Sequence, residues 1–116
     1  VPNRSLPGHY VRTKKLFPEY LAALETLGEA AKNAGPLDAK TLHLVQLGAS
    51  AALRSEGAVH SHARRALEAG ASPEEIRHAL IGVTSTIGFP NVTAALSWVE
   101  DVLRRHRGTL PKRSRA

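Results

Sequence analysis

The chain reads as all-α. Three observations predict it. Apolar residues recur three and four apart through most of the sequence after residue 16, helix-starting and helix-stopping residues bracket those stretches, and no run alternates apolar with polar residues as a strand would. Five helical segments follow in order. Pro18 suits the first helical position of FPEYLAALETLGEAAKNAG, where its missing N–H costs nothing, and Gly35 stops that helix. Asp38 is an N-cap for a second segment, AKTLHLVQLGASAALR. The third is SEGAVHSHARRALEAG, closed at Gly70 by a residue that tolerates the left-handed conformation. Ser72-Pro73-Glu74-Glu75 is a capping box with Pro in the first turn, opening IRHALIGVTSTIG. Gly88-Phe89-Pro90 breaks the chain, and Asn91 is positioned to cap the last segment, VTAALSWVEDVLRRHR.

At 116 residues the chain has room for one hydrophobic core. The organisation expected is a basic N-terminal arm over residues 1–15, a helical domain over 16–108 and a basic tail over 109–116. The net charge of +6 sits at these ends: Arg4, Arg12, Lys14 and Lys15 at the start, and Arg104, Arg105, Arg107, Lys112, Arg113 and Arg115 at the finish. Basic ends bind phosphate by releasing counterions, but neither arm interleaves aromatic residues for base stacking. Nucleic acid is not the partner expected. No stretch approaches the roughly 18–20 apolar residues of a membrane span, and VPNRSLPGHYVRTKK lacks the apolar middle of a secretory signal. A cytoplasmic protein is expected. The chain contains no cysteine, so a disulfide scaffold, a thiolate metal site and a redox dithiol are all excluded.

The second segment has almost no polar face, with Leu42, Leu44, Val45, Leu47, Ala49, Ala51, Ala52 and Leu53, and is expected to be buried on most sides. Its polar residues, His43, Gln46 and Ser50, fall at i, i+3 and i+7, a single line along the helix. An unpaired buried polar group costs roughly 1–3 kcal/mol, so the line either packs against polar groups of a neighbour or faces a wet cavity. Both readings stand at this point. In the last segment Val92, Leu96, Val99 and Leu103 recur at helical spacing beside Trp98, which reads as packing within or between subunits.

Ser55–Gly70, with the SPEEI that follows, resembles the signature helix of the carboxymuconolactone decarboxylase / alkylhydroperoxidase D-like superfamily. There the pattern is Cys-x-x-Cys-x-x-x-His and, eight residues later, a helix-ending Gly. Counted back from Gly70, the histidine is His62, and the two cysteines have become Ala58 and Ser55. The resemblance implies an all-α, alkylhydroperoxidase D-like bundle of about five helices whose subunits form trimers or hexamers. It covers the common core, roughly residues 37–102. The dithiol peroxidase step needs a thiolate and a resolving thiol. A serine hydroxyl forms no disulfide and Ala58 offers nothing, so that activity is excluded. In dithiol members a Glu twelve residues before the first Cys belongs to the proton relay; here that place is His43. The resemblance thus implies that His43 and His62 approach one another from adjacent helices, with Gln46 and Ser50 near by.

The decarboxylase branch also lacks the dithiol and keeps a His eight residues before the closing Gly. Its reaction needs a general acid for the developing carbanion or enolate and a cation or donor to hold the substrate's carboxylate. The resemblance implies a cofactor-free, lyase-type step with His62 as acid/base and His43 as its partner, and a substrate site drawn from Ser55, Gln46, Ser50 and Arg54. Arg64 and Arg65 are further arginines able to take a carboxylate. A metal on His43 and His62 with His60 or Glu56 is not expected, since His60 and His62 diverge on a helix. Of the remaining histidines, His9 is expected in an irregular arm, and His78 and His106 at the surface. The partner expected is a small acid or lactone, and no cofactor is expected. The rival reading is a degenerate, non-enzymatic member that keeps the assembly for binding or scaffolding.

Overall fold

In a computed structural model, which describes residues 8–108, every regular element among the described residues is a helix. They are α1 (Gly8–Leu16), α2 (Pro18–Lys32), α3 (Ala39–Ala52), α4 (Glu56–Glu68), α5 (Pro73–Ile81), the single turn α6 (Thr84–Ile87) and α7 (Phe89–Gly108). The chain divides into two units at Pro36. None of the described helices is long and apolar enough to cross a membrane. The basic tail over 109–116 and residues 1–7 of the basic arm lie outside the described residues.

The first unit is a pair of helices. Tyr10 Oη donates to Glu25 Oε2, and Lys14 Nζ stands 3.4 Å from the same carboxylate oxygen, which ties α1 to α2. Those two donors, Tyr10 first, hold the Glu25 carboxyl below its ordinary pKa. The expectation of an irregular arm is corrected here: Gly8–Leu16, His9 included, is helical. Its run of charged and polar residues carries no apolar face for a pattern search to find. A line of large apolar side chains, Phe17, Tyr20, Leu24 and Leu27, remains exposed along α2.

The second unit holds the main core. Leu47 and Ala51 of α3, Val59, Ala63 and Ala66 of α4, Ile76 and Leu80 of α5, and Ala95, Val99, Val102 and Leu103 of α7 form one cluster. The alanines of α4 let helix axes come close, since interaxial distance follows side-chain size at the contact. α4 packs mainly on α3 and then on α7, while α5 packs on α3 and α7. Asp38 caps α3 by accepting from Thr41 N at 2.8 Å, and that bond lowers its carboxyl pKa. Ser72 and Glu75 complete the capping box, with Ser72 Oγ accepting from Glu75 N at 3.0 Å and Glu75 Oε1 accepting from Ser72 N at 2.9 Å. Gly70 closes the α4 end at φ +102, a conformation a side chain makes costly. Arg77 grips Glu100 through two bonds of 2.9 and 3.1 Å, joining α5 to α7.

Three local expectations need correction. The fourth segment does not run through to Gly88. It stops at Ile81, because Gly82 lacks the helix preference to carry it on and Val83 turns back with its N–H on Leu80 O. The last helix starts at Phe89, so Asn91 lies inside its first turn, where Nδ2 donates to Ile87 O at 2.7 Å. The reversal is made by Gly88 at φ +89. Finally, α3 is buried on one side only: Leu47, Ser50 and Ala51 face inward, whereas Val45 is 56% and Leu53 79% exposed. A single chain supplies α4, α5 and α7 to one side of this helix, and nothing from the second unit covers the other.

Candidate functional site

The site is built by the reversal between α3 and α4. Only Leu53, Arg54 and Ser55 connect the two helices, so they form an antiparallel hairpin. Arg54 makes the turn at φ +55, a left-handed conformation that costs a non-glycine residue roughly 1–2 kcal/mol. The Ser55 N–H reaches back to Ser50 O at 3.1 Å, and the Ser55 hydroxyl accepts weakly from Ala58 N at 3.4 Å as the α4 N-cap. His43 stands about two and a half turns from the end of α3, and His62 just under two turns into α4. Folding back sets them side by side.

The two imidazole centroids are 5.8 Å apart with their planes inclined by 34°. His62 is half-buried, and its Nδ1 is a buried atom with no hydrogen-bond partner among the described residues. Its pKa is lowered to about 4, first by desolvation, then by the positive charge of Arg65 and by His43. The ring is therefore neutral at pH 7. At neutral pH the neutral His62 ring offers one N–H to donate and one bare nitrogen to accept a hydrogen bond.

The other expected residues are placed differently. Ser50 is buried, and its hydroxyl donates to Gln46 O at 2.7 Å within α3, so the polar line resolves partly into the helix's own bonding. Gln46 is exposed. Ser55 is committed to the cap of α4. Arg54 donates through Nη1 to Asn91 Oδ1, a bond that pins the hairpin turn to the start of α7. Of the three arginines able to hold a carboxylate, Arg65 is the one whose charge acts on His62. It lies one turn on, at i+3, and that spacing was the signal available to find it. His60 points away from the pair, its Nε2 lying 3.9 Å from both Glu56 Oε2 and Asp101 Oδ2 between α4 and α7. Among the described residues no group of three or more His, Asp or Glu is placed to hold a metal ion.

Two depressions open on the second unit. One, of about 380 Å3, lies between α3 and α5 against Leu44, Val45, Gly48 and Ala79. The other, of about 250 Å3, lies between the C-terminal halves of α4 and α7. Neither is lined by His43 or His62.

A family model described as the carboxymuconolactone decarboxylase family matches residues 18–101. A carboxymuconolactone decarboxylase family protein from Legionella pneumophila, solved as its apo form, superposes with a TM-score of 0.70 at 25% identity, over 79% of this chain and 82% of that one. A family protein from Thermotoga maritima, for which a part in the antioxidative response has been suggested, gives 0.65 at 26% identity over 86% and 94%. No curated protein matches the chain.

Proposed function

Because the chain belongs to the carboxymuconolactone decarboxylase family, we propose that it binds a small carboxylic acid or lactone at the α3–α4 hairpin, with His62 as acid/base and His43 as its partner. The observation that carries this reading is the buried His62 Nδ1, which lacks a hydrogen bond beside a second imidazole. Leaving such an atom unpaired costs roughly 1–3 kcal/mol, so its retention needs a reason other than packing. A thiol peroxidase cycle is not open to a chain without cysteine.

The lowered pKa sets how the chemistry would run. A neutral ring cannot deliver a proton, but an anionic substrate beside it stabilises the imidazolium and draws its pKa back towards neutrality. Binding would thus load the proton that His62 then gives to the carbon left electron-rich when carbon dioxide departs. Arg65 takes the carboxylate in this scheme, in place of Arg54, which already serves Asn91. Gln46, exposed one turn from His43, is the further contact to substrate. Ser50 is bonded within α3 and Ser55 caps α4, so neither hydroxyl is assigned to the substrate.

The pair also sits in a chain that leaves Phe17, Tyr20, Leu24, Leu27, Leu53 and Phe89 exposed. Apolar surface on this scale marks association, and we propose a homo-oligomer, a trimer or hexamer. Sedimentation should give three or six times the 12.4 kDa chain mass; a monomer at all concentrations would rule it out.

The function is tested by thermal shift over a panel of small carboxylic acids and lactones, with wild type beside His62→Ala and His62→Gln. At least one compound should raise the wild-type melting temperature by several degrees and leave both variants unmoved. Equal shifts in all three proteins, or none across the panel, would transfer the assignment to a non-catalytic scaffold.

A further inference from the structure

The cavity between the ends of α4 and α7 carries an arrangement that the histidine pair does not use. Its walls are Leu67 and Val102, and its polar groups are Arg64, Glu68, Arg105 and His106. On a helix of 3.6 residues per turn, positions 64, 67 and 68 lie about 140–240° round α4 from position 62. The cavity therefore opens on the opposite side of α4 from His62.

The charges around it are not balanced. Two guanidinium groups face a single carboxylate, and neither Arg64 nor Arg105 makes an ion pair or hydrogen bond among the described residues. Burial first, and then the like charges of Arg65 and Arg105, outweigh the opposing pull of Glu68 one turn away and weaken Arg64's hold on its proton. The partly buried Arg64 loses hydration and the exposed Arg105 adds a like charge beside it, so the site is relieved by an anion. A planar carboxylate matches the guanidinium fork, and Leu67 with Val102 suits an apolar body. A volume of about 250 Å3 falls below the roughly 300–1,000 Å3 typical of sites for drug-sized ligands. That limits the occupant to a single ring or a short branched chain.

The geometry points to a second ligand site at the α4–α7 end, taking a small carboxylate with an apolar body, held by Arg64 and Arg105 over Leu67 and Val102. It shares no residue with the His62 site and stands or falls separately from the reading given for that site. The Glu68 carboxylate keeps one of the two positive charges partly satisfied, so the site favours a single negative charge.

The test is a methyl NMR titration of the full chain with benzoate, alongside benzamide and inorganic phosphate. Benzoate should produce saturable shifts at the Leu67 and Val102 methyls. Benzamide and phosphate should give shifts at least tenfold weaker in apparent affinity. Arg105→Gln, at an exposed position where the fold does not depend on the side chain, should weaken benzoate at least tenfold, and His62→Gln should leave it unchanged. Equal binding of benzamide or of phosphate would overturn the assignment to an apolar carboxylate. So would an Arg105→Gln variant that binds as wild type, or benzoate shifts that fail to saturate or centre elsewhere.

Discussion

Truncating Leu47 to alanine is expected to destabilise the protein by about 2–5 kcal/mol, the range for a fully buried leucine whose cavity collapses incompletely. Leu47 has no exposed surface and belongs to the cluster that α3, α4, α5 and α7 build together. Much of α4's share of that cluster is alanine, which has no longer side chain to swing into the space. A loss of this size is a large part of the roughly 5–15 kcal/mol that typically separates folded from unfolded states. Urea unfolding at low protein concentration measures it, and Val45→Ala is the internal control. Val45 lies two residues earlier on the same helix and is 56% exposed, so its truncation should cost less than about 0.5 kcal/mol. A Leu47→Ala loss below about 1 kcal/mol would contradict the packing described here. A Val45→Ala loss as large as that of Leu47 would show α3 enclosed on both sides in solution, as its sequence alone suggests.

The contrast between those residues marks what the sequence made legible. The helices of the second unit were readable because their signals are local: Asp38 and Ser72 cap at the expected positions, and Gly70 and Gly88 take positive φ where the pattern breaks. The helical repeat of Val92, Val99 and Leu103 is core as its spacing implied. Burial of α3 was not readable in the same way. An all-apolar helix says that water should be excluded, without saying whether the same chain or another excludes it. α1 was missed because helices of charged residues have no apolar period. At the site, the approach of His43 and His62 was legible from the family resemblance. The commitments of Arg54 to Asn91 and of Ser50 to Gln46 O were not. The first depends on a contact 37 positions away in the chain, and the second on a hydroxyl choosing its own helix over a cavity.

His62 should make the protein acid-sensitive in a defined window. Its pKa falls from 6.5 to about 4 on folding, chiefly because burial penalises the charged ring. Between those values the unfolded chain holds one more proton than the folded chain, so stability rises with pH there. The contribution is complete above pH 6.5, is lost as the pH falls towards 4, and changes no further below that. Its ceiling is about 3 kcal/mol at 1.36 kcal/mol per pKa unit. From pH 7 to pH 5 the wild type should lose about 2 kcal/mol more than His62→Gln, which keeps a polar side chain of similar reach but has no proton to bind. The carboxylates whose pKa values folding lowers, Glu25, Asp38, Glu75 and Glu100, are common to both proteins, so their effect cancels in the comparison. Urea midpoints at four or five pH values resolve the difference. Parallel curves for the two proteins would mean that His62 titrates at its ordinary value in solution. The ring would then be well hydrated, and the substrate-loaded proton transfer proposed for it would lose its physical basis. A convergent result, with the wild-type curve falling towards that of the variant only under acid, would show that folding holds His62 neutral. That is the state in which an incoming carboxylate has the largest effect on its proton.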